Sequence, residues 1–115
     1  MKVRRREHDH ELNELVAVGE SAIHGRGLFA TRRIARDEYI GTFCGPPAKR
    51  DGMHVLWVYE GDDEDAMAVG RIGRNLLRFL NHDARCNAVF DGFDLYAVRA
   101  IRSGEEITID YGTGW

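Results

Sequence analysis

Short runs of apolar and β-branched residues, separated by turn residues, occupy most of this chain. Runs that are rich in Val, Ile, Tyr and Phe and bounded by Gly, Pro, Asn or Asp are typical of β-strands. The pattern predicts strands at residues 15–18, 28–30, 39–44, 55–59, 66–69, 88–90, 95–98 and 107–111, and a helical turn at 75–80. We therefore expect an irregular, β-dominated domain with one or two short helical turns.

Three dipeptides mark turns between these strands. Asp91-Gly92 separates two apolar runs and predicts a hairpin, because glycine accepts the positive φ of a tight turn. Ser103-Gly104 predicts a turn before the last strand. Pro46-Pro47 is expected to end the third strand, since proline lacks the amide hydrogen that a sheet ladder needs.

The chain of 115 residues is long enough for one hydrophobic core and too short for two. Residues 1–14 carry the run Arg4-Arg5-Arg6, alternating charges and few apolar side chains. They predict a charged tail or a loosely attached segment. Residues 15–115 are predicted to form the single domain.

Composition narrows the classes of partner. With 16 Lys and Arg against 19 Asp and Glu, the net charge is −3. The chain therefore lacks the overall basic field that is typical of nucleic-acid binders, and we expect no direct nucleic-acid binding. No apolar run approaches the roughly 20 residues of a membrane span, and residues 1–10 are charged where a signal peptide is apolar. The two cysteines are too few for a disulfide framework. We expect a soluble protein of the reducing cytoplasm, bound to no membrane.

Three segments together resemble the signature of SET domains. They are HGRGLFA at 24–30, RFLNH at 78–82 and GEEITIDYG at 104–112. Each segment alone is a weak signal, but their order and spacing along a chain of this size make chance similarity improbable. The resemblance spans about residues 15–115 and is closest to the minimal forms of bacteria and large viruses, which lack cysteine-rich zinc modules.

This resemblance implies a fold and an activity. The fold is the SET fold, a β-clip type set of small curved sheets with a threaded C-terminal segment, and general topology rules would not have predicted the threading. The activity is methyl transfer from S-adenosylmethionine to a lysine of a histone-like or other protein. Two departures affect the site: only Asn87 remains of the usual Ser-Cys-x-Pro-Asn run, and Thr42 and Phe43 stand where Glu-Tyr is common.

Tyr111 matches the tyrosine that the resemblance implies to be catalytic. Its hydroxyl would orient the lysine nitrogen and the transferred methyl group. Deprotonating a lysine with a pKa of about 10.4 costs roughly 4–5 kcal/mol at pH 7. Because burial and a neighbouring sulfonium both disfavour the ammonium form, aromatic walls can replace a strong base.

Further residues are assigned by the same resemblance. Cofactor-binding positions are Arg26, Gly27, Arg78, Asn81, His82 and Trp115. Arg78 either organises the pocket by a salt bridge or is simply solvated, and Trp115 would stack on adenine. Substrate-binding positions are Phe43, Trp57 and Ile109, the first two as aromatic channel walls. Ile109 replaces a Phe or Tyr of the family, which predicts more than one methyl addition.

Two other interpretations stay open at this point. The first is an inactive SET-like module that binds a peptide or partner, against which Tyr111, Asn81 and His82 argue. The second is a small metal- or thiol-dependent binding protein using Cys44, Cys86 and nearby histidines, although no metal is expected. The protein substrate could present its lysine among basic residues, to which the acidic run at 62–65 is suited. A homodimer stays open as well.

Overall fold

The computed structural model describes residues 5–50, 52, 54–60 and 67–110. Short strands dominate this part of the chain, as predicted. In chain order the elements are helix α1 (Asp9–Leu12), strands β1 (Val16–Glu20), β2 (Arg26–Ala30), β3 (Tyr39–Thr42), β4 (Pro47–Ala48), β5 (Val55–Glu60) and β6 (Met67–Ile72), a 3₁₀ turn (Leu76–Phe79), and strands β7 (Asn81–His82), β8 (Ala88–Asp91), β9 (Asp94–Ala97) and β10 (Glu106–Ile109).

Within the described ranges these strands form three small sheets. One has the order β1-β2-β10-β7, the second β3-β9-β8 and the third β4-β6-β5. Most neighbouring strands are antiparallel, whereas β10 and β7 run parallel. The last strand of the chain thus lies between an early strand and a middle one, so that sequence-distant segments meet in one sheet.

The turns predicted at Asp91-Gly92 and Ser103-Gly104 are confirmed. Asp91 pairs with Asp94 across a two-residue turn in which Gly92 has a φ of 62°. Gly104, with a φ of 84°, precedes β10. Such positive φ values favour glycine over residues that carry a Cβ. The two glycines therefore set where the last three strands begin and end.

Strand bounds in the middle of the chain differ from the prediction. The third strand ends at Thr42, before Pro46, and Pro47 begins a new strand by pairing with Arg71 of β6. Because that strand has two residues, it was too short for periodicity to reveal. β7 and α1 were missed for the same reason.

The charged segment before Leu15 contacts the domain along its described part. The side chain of Leu12 is fully buried, and the Thr42 amide donates to the Arg6 carbonyl at 2.9 Å. The Arg6 amide in turn donates to the Tyr39 hydroxyl at 2.9 Å. These contacts attach residues 5–14 along the outer edge of β3.

One hydrophobic core lies between the sheets. Its fully buried side chains come from every part of the chain and include Leu28, Ile34, Ile40, Leu95 and Ile107. Strand β10 alternates apolar core residues with polar ones, so the strand that carries the third motif is anchored by burial. No helix of the described segments is long and apolar enough to cross a bilayer.

Candidate active site

Strand β10 brings the three sequence motifs side by side. Ile107 pairs with Leu28 of β2, while Thr108 and Ile109 pair with Asn81 and His82 of β7. Each motif contributes one strand to this sheet. Residues separated by more than 50 positions in sequence therefore lie within one or two strand spacings, about 5–10 Å.

A cavity of about 770 Å³ opens at this end of the sheet. Its volume falls in the range of about 300–1,000 Å³ that is usual for small-molecule sites. The lining combines apolar side chains with a few polar ones and consists of His24, Gly25, Arg26, Phe43, Gly52, His54, Val55, Leu77, Arg78, Phe79, Leu80, Asn81, Phe90 and Ile109. Five residues that the sequence assigned to the site, namely Arg26, Phe43, Arg78, Asn81 and Ile109, share this one cavity.

Asn81 joins the first motif to the third. Its side-chain nitrogen lies 3.0 Å from the His24 carbonyl, 3.0 Å from the Arg26 carbonyl and 3.0 Å from Oε2 of Glu106. An amide nitrogen has two hydrogens, so these three acceptors share two donors. The half-buried Asn81 amide thereby holds the Gly25 loop against β10.

Ser21, Asn81 and Glu106 form a polar junction beside the Gly25 loop, with the Glu106 carboxylate accepting from both of the other side chains. The Ser21 hydroxyl donates to the Glu106 carboxylate at 2.7 Å and accepts hydrogen bonds from the Ile23 and His24 amides. A Cβ added at Gly27 would collide with the same carboxylate. Gly27 therefore does not line the cavity but lets the carboxylate pack close beneath it.

Asn87 supports β10 from the other side. Its side chain is 1% exposed, its amide nitrogen donates to the Glu106 carbonyl at 2.8 Å, and its oxygen accepts from the Thr108 amide at 2.9 Å. The side chain thus imitates a neighbouring strand at a point where β10 is buried. An asparagine suits this position because one side chain supplies both the donor and the acceptor that β10 needs.

Phe43 forms an apolar wall of the cavity. Its ring meets Phe90 edge to face at a centroid distance of 5.9 Å, and its amide donates to the Phe93 carbonyl at 2.7 Å. Arg71 donates to the Phe43 carbonyl at 3.0 Å while its guanidinium lies 3.9 Å from the centre of the Phe93 ring. Strand β6 thereby fixes a wall of the cavity through a stacked arginine.

Arg78 is held by backbone groups. It donates to the Arg74 and Asn75 carbonyls at 3.2 and 2.8 Å, and its guanidinium lies 4.4 Å from the centre of the Phe79 ring. Among the described residues Arg78 bonds backbone carbonyls and a ring and makes no ion pair. The arginine closes the 3₁₀ turn and presents its charge at the cavity.

Some predicted site residues lie elsewhere or beyond the described part. The His82 side chain is 43% exposed, sits 3.5 Å from the Asp110 carboxylate and does not line the cavity. The Trp57 ring lies over Gly70 in the neighbouring strand, outside the cavity lining. Tyr111 and Trp115 lie outside the described residues.

Several cavity residues were not assigned from the sequence. His54 reaches the lining from a backbone with a φ of 63°, which is unusual for a residue other than glycine. Leu77, Phe79 and Leu80 lie in or beside the second motif, which was a signal that could have found them. Phe90 carried no such signal.

The chemistry of the cavity suits S-adenosylmethionine. At one end the His24 and Arg26 carbonyls lie beside Asn81, and carbonyl oxygens suit an ammonium group. Elsewhere Leu77, Phe79 and Leu80 offer apolar surface of the kind that receives an adenine ring. In the described ranges no three His, Cys, Asp or Glu side chains are placed to hold a metal ion, and both cysteines are unpaired.

Comparisons with known proteins point to one family. The family model described as "SET domain" matches residues 25–112. "Histone-lysine N-methyltransferase MEDEA" of Arabidopsis thaliana is 29% identical over 122 residues, covering 90% of this chain and 18% of that protein. "Histone-lysine N-methyltransferase 2B" of Homo sapiens is 32% identical over 117 residues, covering 85% of this chain and 4% of that protein. The chain therefore spans less than a fifth of these relatives.

Solved structures share the fold. The crystal structure of the methyltransferase domain of human histone-lysine N-methyltransferase SETMAR aligns with a TM-score of 0.70 at 21% identity, covering 86% of this chain and 45% of that one. The methyltransferase domain of human PR domain-containing protein 2 aligns with a TM-score of 0.63 at 20% identity, covering 100% and 95%. They confirm the predicted β-dominated architecture of small sheets.

Proposed function

The chain belongs to the SET-domain family, and from this membership we propose that it is a protein-lysine N-methyltransferase that uses S-adenosylmethionine. One observation carries the proposal. Strand β10 lies between β2 and β7, so all three motifs meet beside a cavity of about 770 Å³. An inactive module could keep the sheet but would have no need for such a cavity.

The cofactor, when bound, supplies a methyl group activated on a sulfonium. We assign its ammonium end to the part of the cavity beside Asn81, where the His24 and Arg26 carbonyls supply acceptors. Methyl transfer moves positive charge from sulfur to nitrogen without creating a new charge pair. Positioning of the two reactants therefore contributes more than stabilisation of a developing anion.

The lysine channel is assigned to the apolar side of the cavity. Phe43 and Ile109, each 3% exposed, line it together with Phe90. Apolar burial disfavours the ammonium form of an entering lysine and so lowers the cost of its deprotonation. The aromatic faces also attract a methylated ammonium by cation–π interaction.

The test is methyl transfer by the purified chain. Incubation with radiolabelled donor and histones, or a cell lysate, should label a protein on lysine, which mass spectrometry then identifies. Calorimetry with the donor separates the alternatives: donor binding without transfer to any protein would favour an inactive partner-binding module. No binding and no transfer would contradict the proposal.

The substrate class is proposed as a histone-like protein with basic residues around the target lysine. The two relatives are histone-lysine N-methyltransferases by name, which supports a histone-like substrate. For this chain the net charge of −3 and the acidic run at 62–65, which lies outside the described residues, favour a basic substrate. Peptides whose flanking arginines are replaced by glutamate should be methylated more slowly.

Asn81→Ala is expected to weaken donor binding about 5- to 150-fold, the equivalent of roughly 1–3 kcal/mol for a hydrogen-bonding group. The substitution frees the Gly25 loop from Glu106 and removes the amide from the cavity. Calorimetry with S-adenosylmethionine measures the change. Asn13→Ala, at the exposed end of α1, is the matched control, and equal affinities of the two variants would contradict the assignment of Asn81.

Ile109 is proposed to allow more than one methyl addition. It is 3% exposed and lines the cavity with a side chain that has no hydrogen-bonding group. A partly methylated amine can then rotate freely for the next transfer. We expect dimethyl or trimethyl products from the wild type and mainly monomethyl product from Ile109→Tyr, read by mass spectrometry under excess donor. A wild type that stops at one methyl would contradict this role.

A further inference from the structure

Five exposed arginines lie in two bridged segments beyond Ala30, at the end of β2 that is away from the cavity. They come from two segments, 30–36 and 99–105. We call them the basic face, and its members are Arg32, Arg33, Arg36, Arg99 and Arg102. None of them lines the cavity.

Backbone pairing brings the two segments together. Ile34 and Ile101 form an antiparallel bridge in which each amide donates to the other carbonyl at 2.8 Å. Further along, the Ser103 hydroxyl donates to the Thr31 carbonyl, and the Gly104 amide donates to the Ala30 carbonyl at 2.7 Å. Both isoleucines are fully buried, so the bridge is anchored in the core. The backbone of the two arginine-bearing segments is therefore held in place by hydrogen bonds and by the core.

Two of these arginines are already paired. Arg32 lies 2.8 Å from Glu38, and Arg99 lies 3.0 Å from Glu105. The hydrogen bond from Arg32 lowers the pKa of Glu38. Burial raises the pKa of Glu105, but hydrogen bonds from the Arg102 amide and the Arg99 side chain outweigh it, and the pKa is lowered. Both carboxylates therefore stay ionised at neutral pH.

The other three arginines carry the available charge. Among the described residues, Arg33, Arg36 and Arg102 have exposed side chains with no ion pair. Two further acidic residues belong to this region: Asp37, and Glu14, whose carbonyl accepts from the Thr31 hydroxyl and whose carboxylate pairs with Arg6. Like charges that are held close together repel each other, and a bound polyanion would reduce this repulsion.

The surface between the arginines favours phosphate over protein. Its exposed side chains are small, namely Thr31, Ala35, Ala100 and Ser103, with the larger Val98 at one edge. Protein interfaces depend on large anchors such as Trp, Tyr or Leu in pockets. Contacts to nucleic-acid phosphates come from Arg, Ser and Thr side chains and need no apolar pocket.

We propose that the basic face binds the phosphate backbone of duplex nucleic acid without reading its base sequence. The net charge of the whole chain does not reveal these arginines, because acidic residues elsewhere bring it to −3. Arg26 at one end of β2 lines the cavity and Ala30 at the other end adjoins the basic face, a separation of about 13 Å along the strand. Nucleic acid and a protein substrate could therefore be bound together.

The test measures binding of the full chain to a fluorescent duplex of about 20 base pairs by anisotropy at roughly 50 mM salt. Arg33→Gln/Arg36→Gln/Arg102→Gln should weaken binding about tenfold or more and reduce the slope of log affinity against log salt by about 2–3. The matched control, Lys49→Gln/Arg50→Gln/Arg85→Gln, removes the same charge elsewhere and should change the affinity less than about twofold. The assay needs no methyl transfer, so its failure is separate from failure of the proposed function.

Two further measurements keep the result interpretable. Arg33→Lys/Arg36→Lys/Arg102→Lys keeps the charge and should retain most of the binding, which separates loss of charge from loss of fold. Equal losses in the glutamine triple and its control would overturn the proposal, because they would indicate general charge attraction. Tighter binding of a polyglutamate peptide than of the duplex at this face would also overturn it, in favour of an acidic protein partner.

Discussion

Tyr111→Phe is expected to reduce methyl transfer about a hundredfold or more while leaving donor binding and the melting temperature close to those of the wild type. The substitution keeps the ring and removes the hydroxyl that would orient the lysine nitrogen. Tyr111 lies outside the described residues, and its role rests on the third motif. Ile109, two positions earlier in that motif, lines the cavity.

A matched control for this prediction is Tyr96→Phe. Tyr96 lies on β9, half-buried against Tyr39, and is not part of the cavity lining. Removing its hydroxyl should leave turnover within about twofold of the wild type, since a surface or half-buried hydroxyl contributes little. Turnover is measured with one peptide under saturating donor. Tyr111→Phe with wild-type turnover would remove Tyr111 from the catalytic role.

Asn87→Ala is expected to lower the free energy of unfolding by about 2–4 kcal/mol, because it leaves two buried backbone groups of β10 without their partners. The Thr108 amide and the Glu106 carbonyl both bond the Asn87 side chain, which is 1% exposed. Alanine also leaves a cavity in the core. Urea unfolding followed by circular dichroism measures the change.

The exposed Asn13 again supplies the control. Asn13→Ala at the end of α1 should change the free energy of unfolding by less than about 0.5 kcal/mol, the usual range for surface positions. A similarly small change for Asn87→Ala would show that β10 does not depend on this side chain. Donor affinity should fall in parallel with stability for Asn87→Ala, since β10 also carries Glu106 into the polar junction with Asn81.

The strands and turns of this protein were largely predictable because they depend on local chemistry. Glycine at positions 92 and 104 supplies the positive φ that ends one strand and begins another. Apolar runs mark strands whose burial the core requires. Elements of two residues, such as β4 and β7, escaped prediction, because periodicity needs more positions than they have.

The cavity residues were predictable only in part. Arg26, Arg78 and Asn81 stand in motifs, and the structure brings all three to one cavity with Phe43 and Ile109. Trp57 was assigned by its aromatic character alone. The pairing of β5 with β6 places its ring over Gly70, because strand register decides which face a side chain joins.

By itself the sequence determined the class of fold, the positions of the turns and the identity of three motifs, since each depends on residues adjacent along the chain. Only the tertiary structure decided that β10 lies between β2 and β7, that Asn87 takes the place of a neighbouring strand, and that Ile34 and Ile101 bring the basic face together. These are contacts between residues far apart in sequence. Their formation depends on burial and on complete hydrogen bonding across the whole domain, which no local pattern contains.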